Sequence, residues 1–151
     1  MRHLSRRAAL ALGAGTAAIT IVGWGKGASA TPKAAADDIA KFTGGKTAEQ
    51  GKITIELPEI AENGNTVPLS VSVDAPMTDA DHVTDVLVVA EGNPNPGVAT
   101  FHFTPLSGKA EASTRIRLAT TQNIVAVAKT STGKFYTASK LVKVTIGGCG
   151  G

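Results

Sequence analysis

The sequence predicts an all-β protein: an immunoglobulin-like β-sandwich of about seven strands, with a short N-terminal helix and a flexible C-terminal arm. Three observations carry this reading. From Ile53 to Ile146 apolar residues recur with a period of two, the signature of strands with one buried face. Clusters of Gly, Pro, Asn and Ser punctuate the alternation at short intervals, as a sandwich requires. A chain of 151 residues, 42% hydrophobic and 18% charged, has room for one ordinary domain with a core. A closed barrel would satisfy the same spacing. An antibody-type domain would not, because the single tryptophan, Trp24, precedes the strands and one cysteine cannot form an intersheet disulfide.

Residues 1–30 have the layout of an export leader. Arg6 and Arg7 stand before an apolar run from Ala8 to Trp24, and Ala28-Ser29-Ala30 offers a small-x-small cleavage site. A second cut is available after Ala34-Ala35-Ala36. Paired arginines before a weakly hydrophobic run, diluted by Gly13, Gly15 and Gly23, point to twin-arginine export. As a membrane anchor the run is too short and too polar, since roughly 20 strongly apolar residues are needed to span. No membrane association is therefore expected after cleavage.

Residues 31–52 form an N-terminal segment in which Ala34 to Phe42 reads as a short helix stopped by Gly44-Gly45. Ala40 to Thr47 loosely matches a phosphate-binding loop, but no apolar strand precedes it, so it reads as a linker. Within the sandwich, residues 53–146, the first strand is Ile53 to Leu57, closed by Pro58. Val67, Leu69, Val71 and Val73 mark the second, with polar residues between them. The third, His82 to Ala90, ends in the unbroken run Val86-Leu87-Val88-Val89-Ala90, which predicts cover on both faces. After the turn Gly92 to Gly97 come the Ala99–Phe103, Ala110–Leu118, Ile124–Ala128 and Phe135–Ile146 strands.

The formal net charge of +3 invites a nucleic-acid reading, which fails once the leader is set apart. Arg2, Arg6, Arg7 and Lys26 lie in residues 1–30 with no acid, while residues 31–151 hold 11 basic and 12 acidic side chains. No basic stripe interleaved with aromatics remains, so no nucleic-acid partner is expected. Asp79, Asp81 and His82 share a loop, but three ligands of mixed hardness make a weak metal set, and a solvated loop is the better reading. His102, between Phe101 and Phe103, belongs to the opposite face from them and reads as a surface or subunit-contact residue. Neither a metal nor another cofactor is implied, and no arrangement of catalytic residues can be argued.

The informative segment is 147–151: Gly147-Gly148-Cys149-Gly150-Gly151. Cys149 is the only cysteine, and glycines flank it by two on each side. Glycine adds no packing surface and raises the cost of ordering the backbone, so the segment predicts a mobile arm carrying a thiol. From Ile146 the thiol would reach roughly 10 Å, and bare backbone beside it would fit a narrow cleft in a partner. A lone cysteine in an exported protein serves either as a reactive thiol or in an intermolecular disulfide. A ubiquitin-like role for Gly150-Gly151 would need a β-grasp fold and cytosolic ATP, which the pattern and leader contradict.

A leader with paired arginines, an all-β body and the terminal Gly-Gly-Cys-Gly-Gly together resemble the SoxY family of sulfur-carrier subunits. The resemblance implies a carrier that is not itself an enzyme, located in the periplasm. It implies that thiosulfate is coupled oxidatively to Cys149 by the haem protein SoxAX. SoxB, a manganese hydrolase, then releases sulfate, and SoxCD, where present, oxidises the sulfane sulfur left behind. It also implies a heteromeric partner, SoxZ, a second small β-sandwich. Only Cys149 and its flanking glycines carry over residue by residue. The rival reading is an exported interaction module whose Cys149 makes a disulfide to a partner.

Overall fold

The computed structural model describes residues 32–149. The expected export leader, with Arg6, Arg7, Ala28 and Ala30, and the last two glycines, Gly150 and Gly151, lie outside the described residues. Among the described residues one α-helix, α1 (Pro32–Thr43), precedes nine strands: β1 (Glu49–Gln50), β2 (Ile53–Glu56), β3 (Ile60–Asn63), β4 (Val67–Val73), β5 (Val83–Ala90), β6 (Gly97–His102), β7 (Ala110–Ile116), β8 (Gln122–Thr130) and β9 (Phe135–Ile146).

The helix begins on a proline, whose missing N–H costs nothing in a first turn. It ends where Gly44 and Gly45 take positive φ and close the chain with two bonds, Gly45 N–H to Ala40 O and Gly44 N–H to Lys41 O. The expected helix is thus present, longer by two residues at its start and one at its end. The residues resembling a phosphate-binding loop are its last turn and the linker after it.

The strands form two sheets. One runs β1-β9-β8-β5-β6, with β3 also paired to β9, and the other runs β2-β4-β7. The expected sandwich is what forms, and its alternating rows meet between the sheets: Ile53 and Ile55, Leu69 and Val71, Val86 and Val88, Ile124 and Ala126. Among the described residues the sandwich has two strands beyond the seven expected. Both β1 and β3 run parallel to β9, at Glu49–Tyr136 and at Ile60–Lys143. Neither carries an alternating apolar row long enough to read, because what they supply is backbone partners for the edge of β9. Through β1 the sheet also reaches into residues 31–52, so the sandwich begins before residue 53.

β5 is central and covered on both sides. Val86 and Val88 face the interior, while Leu87 and Val89 lie beneath α1, packed with Ala35, Ile39 and Phe42. Phe42 meets Phe135 of β9 edge to face, with ring centroids 6.2 Å apart. The unbroken apolar run of this strand therefore has a double cause. Among the described residues no helix is long and apolar enough to cross a membrane.

Candidate functional site

The site is built where three segments meet at one end of the sandwich: the β3–β4 turn, the β7–β8 connection and the chain leaving β9. The turn Asn63-Gly64-Asn65 folds on the Asn63 side chain, whose Oδ1 accepts from both the backbone N–H and Nδ2 of Asn65, at 2.9 and 3.1 Å. At the centre of the turn the Gly64 N–H donates to Ile146 O at 2.7 Å, and Gly64 O accepts from Leu118 N–H at 2.8 Å. Leu118 O in turn accepts from Gly148 N–H at 2.8 Å. Each segment is bonded to its neighbour, and Gly64 and Leu118 are buried within the joint.

The β7–β8 connection is held from the other side by a buried asparagine. Asn93 Nδ2 donates to Arg117 O at 2.8 Å, and Asn93 Oδ1 accepts from Ala119 N–H at 3.0 Å and from Gln122 Nε2 at 2.9 Å. Residues 117 and 119 thus bond towards Asn93, while residue 118 between them bonds towards the arm, as in a strand. Asn93 substitutes for a missing neighbour strand. Only 2% of it is exposed, and every polar atom of its amide is used in a place where an unmet one would be costly.

Gly147 and Gly148 are consequently part of the fold. A Cβ on Gly147 would overlap Ala119 O, and one on Gly148 would come within 2.7 Å of Gly64 O. Neither glycine has a positive φ, so conformational freedom is not what selects glycine here. Close approach of backbone to backbone is. The expectation of an arm free from residue 147 is corrected accordingly: its root is seated, Gly148 is buried, and the chain first becomes exposed again at Cys149. The Cys149 N–H donates to Asn65 Oδ1 at 3.2 Å, and its thiol is free and exposed.

The remaining residues singled out from sequence lie elsewhere. His102 is on the surface of β6 and pairs with Asp85 of β5, Nδ1 to Oδ1 2.6 Å. His82 Nδ1 lies 3.0 Å from Thr78 O within its own loop, which closes where the Thr78 hydroxyl donates to Asp81 O and accepts from Asp81 N–H. Among the described residues no group of three or more His, Cys, Asp or Glu is placed to hold a metal ion. Asn63, Gly64, Asn65, Asn93 and the Leu118-Ala119 backbone were not legible as site residues. An Asn-Gly-Asn triplet announces a turn, but nothing in it says which distant backbone the turn receives.

A small immunoglobulin-like sandwich that seats its final strand's exit and exposes one cysteine beyond it belongs to a class of proteins that present a thiol from an otherwise closed surface. The family model described as "Sulfur oxidation protein SoxY" matches residues 39–149, and the chain belongs to the SoxY family. Among solved structures it is similar to the sulfur carrier protein SoxY from Chlorobium limicola f thiosulfatophilum. The two are 37% identical over 77% of this chain and 100% of that one, with a TM-score of 0.65. The superoxide reductase (neelaredoxin) from Ignicoccus hospitalis matches at 22% identity, covering 62% of this chain and 80% of that one, with a TM-score of 0.56. The superoxide reductase from Nanoarchaeum equitans matches at 12% identity, over 64% and 100%, with a TM-score of 0.53. These two share the fold alone. No curated protein matches the chain.

Proposed function

We propose that this protein is a covalent sulfur carrier, with Cys149 as the attachment point and partner enzymes supplying the catalysis. The observation that carries the reading is an exposed, unpaired thiol one residue beyond a seated glycine in a SoxY-family chain. Loading joins the Cys149 sulfur to the sulfane sulfur of thiosulfate. A proton leaves the thiol, two electrons pass to a SoxAX-type haem oxidant, and a thiosulfonate remains on the cysteine. Water then attacks the terminal sulfonate at a SoxB-type hydrolase, releasing sulfate and two protons and leaving a persulfide. Where a SoxCD-type enzyme acts, the outer sulfur takes three oxygens from three waters, six protons are released and six electrons pass to that enzyme as the oxidant. A second hydrolysis frees sulfate and restores the thiol.

The carrier's contribution is geometric. A covalent tether keeps each intermediate at high effective concentration for the next enzyme. A persulfide is a polarizable nucleophile, suited to further oxidation. Residues 31–151 carry almost no net charge, so long-range capture of thiosulfate falls to the enzymes. The same reading places the protein in the periplasm after twin-arginine export through Arg6 and Arg7, with cleavage at Ala28-Ser29-Ala30, and beside a SoxZ-like β-sandwich subunit. Gly147, Gly148, Gly150 and Gly151 keep side chains away from the sulfur on either side. Intact-mass measurement after incubation with thiosulfate and the partner enzymes tests the proposal. Thiosulfonate and persulfide adducts confined to Cys149 are expected. A protein that gives only an intermolecular disulfide under those conditions would overturn it.

A further inference from the structure

Among the described residues, Asn65 is the one side chain that bonds to Cys149 itself. Its amide orientation is set from behind, because Nδ2 donates to Asn63 Oδ1 and so turns Oδ1 towards the Cys149 N–H. The bond differs in kind from the one before it. Gly148 N–H is held by a buried backbone carbonyl, whereas Cys149 N–H is held by an exposed side chain that solvent can replace. Two adjacent bonds of such unequal protection define where the chain bends. The pivot lies between Gly148 and Cys149.

We propose that Asn65 is a positioning residue for the thiol: a latch that parks Cys149 against the end of the sandwich and opens when the cysteine enters a partner. Asn63 is the support that orients the latch. Opening breaks the Asn65 bond and leaves the Gly64, Leu118 and Gly148 joint intact, so each departure of the sulfur starts from one orientation and returns to it. That this parks a sulfur rests on the carrier reading. The latch itself does not.

The test uses the protein with Asn65→Ala, which removes the acceptor, and with Asn65→Asp, which keeps an acceptor but gives up the bond that orients it. Two readouts apply: hydrogen exchange at the Cys149 amide and the line shape of a nitroxide attached to Cys149. In Asn65→Ala the amide should exchange about five-fold faster, the change expected from one exposed hydrogen bond, and the nitroxide spectrum should sharpen. Asn65→Asp keeps the acceptor but loses the Nδ2 bond to Asn63 Oδ1, so it and Asn63→Ala should each fall between the parent and Asn65→Ala. Melting temperature should barely move, because Asn65 is exposed. Equal exchange and equal line shape in the parent and Asn65→Ala would overturn the latch, as would Asn65→Asp behaving like Asn65→Ala. Neither readout involves sulfur loading, so failure of the latch and failure of the carrier reading are told apart.

Discussion

Replacing Gly64 by alanine should damage this protein more than any other single methyl added at its surface turns. The new Cβ would overlap Leu118 O, lie 2.7 Å from Gly148 N and lie 3.1 Å from Ile146 O. All three obstacles are backbone, so no side chain can rotate away. Relief requires moving a segment and giving up the three bonds that pass through the joint: Gly64 N–H to Ile146 O, Leu118 N–H to Gly64 O and Gly148 N–H to Leu118 O. At about 1 kcal/mol each, the loss is about 3 kcal/mol. For a domain of this size that lowers the melting temperature by about 10 °C. Gly148→Ala provides the comparison. Its clash is with Gly64 O and Asn65 N, and the chain after Ile146 can lift off, sacrificing only the Gly148 and Cys149 bonds. That variant should lose about 1–2 kcal/mol and expose the Cys149 amide to exchange while Leu118 N–H stays protected. Circular-dichroism melts and amide exchange by NMR measure both. If Gly64→Ala melts within a degree or two of the parent with Leu118 still protected, the joint is not tightly packed and the account of the seated arm is wrong.

Cys149→Ser should abolish sulfur loading and leave the melting temperature unchanged, because the exposed thiol contributes nothing to the core; a mass adduct on the serine variant would refute the attachment point. Asn93→Leu should cost about 2–4 kcal/mol in denaturant melts, since Arg117 O and Ala119 N–H lose their partner in a buried place, and Cys149 exchange should accelerate with it as the Leu118 wall loosens. Phe42→Ala should cost about 2 kcal/mol by opening the contact with Phe135, and exchange should rise along α1 before it rises in β4 or β7.

What could be read from the sequence was whatever writes itself in periodic side chains. The rows Val67-Leu69-Val71-Val73 and Ile124-Ala126-Ala128 announced their strands because half of each faces the core. The continuous run in β5 announced a second cover, and α1 supplies it. β1 was invisible because both Glu49 and Gln50 are exposed; its reason for being a strand lies in β9. The diglycine at 147–148 was read as part of a mobile, slim arm, and its close packing against Ala119 and Gly64 was not legible. Glycine chosen for freedom and glycine chosen for close approach look alike in sequence. Only the position of Ala119 and Gly64, brought in from far along the chain, tells them apart.

The joint at the end of the sandwich joins residues that are 84 positions apart at its outermost bond, Cys149 to Asn65. A contact of that separation is costly to close alone and costs least once the elements between its ends are in place. A chain with β3 or the β7–β8 connection out of place has nowhere to seat Gly148. The bond between Asn65 and Cys149 is therefore a readout of completed folding: a molecule without the joint carries the same cysteine on a tail that Gly148 no longer seats.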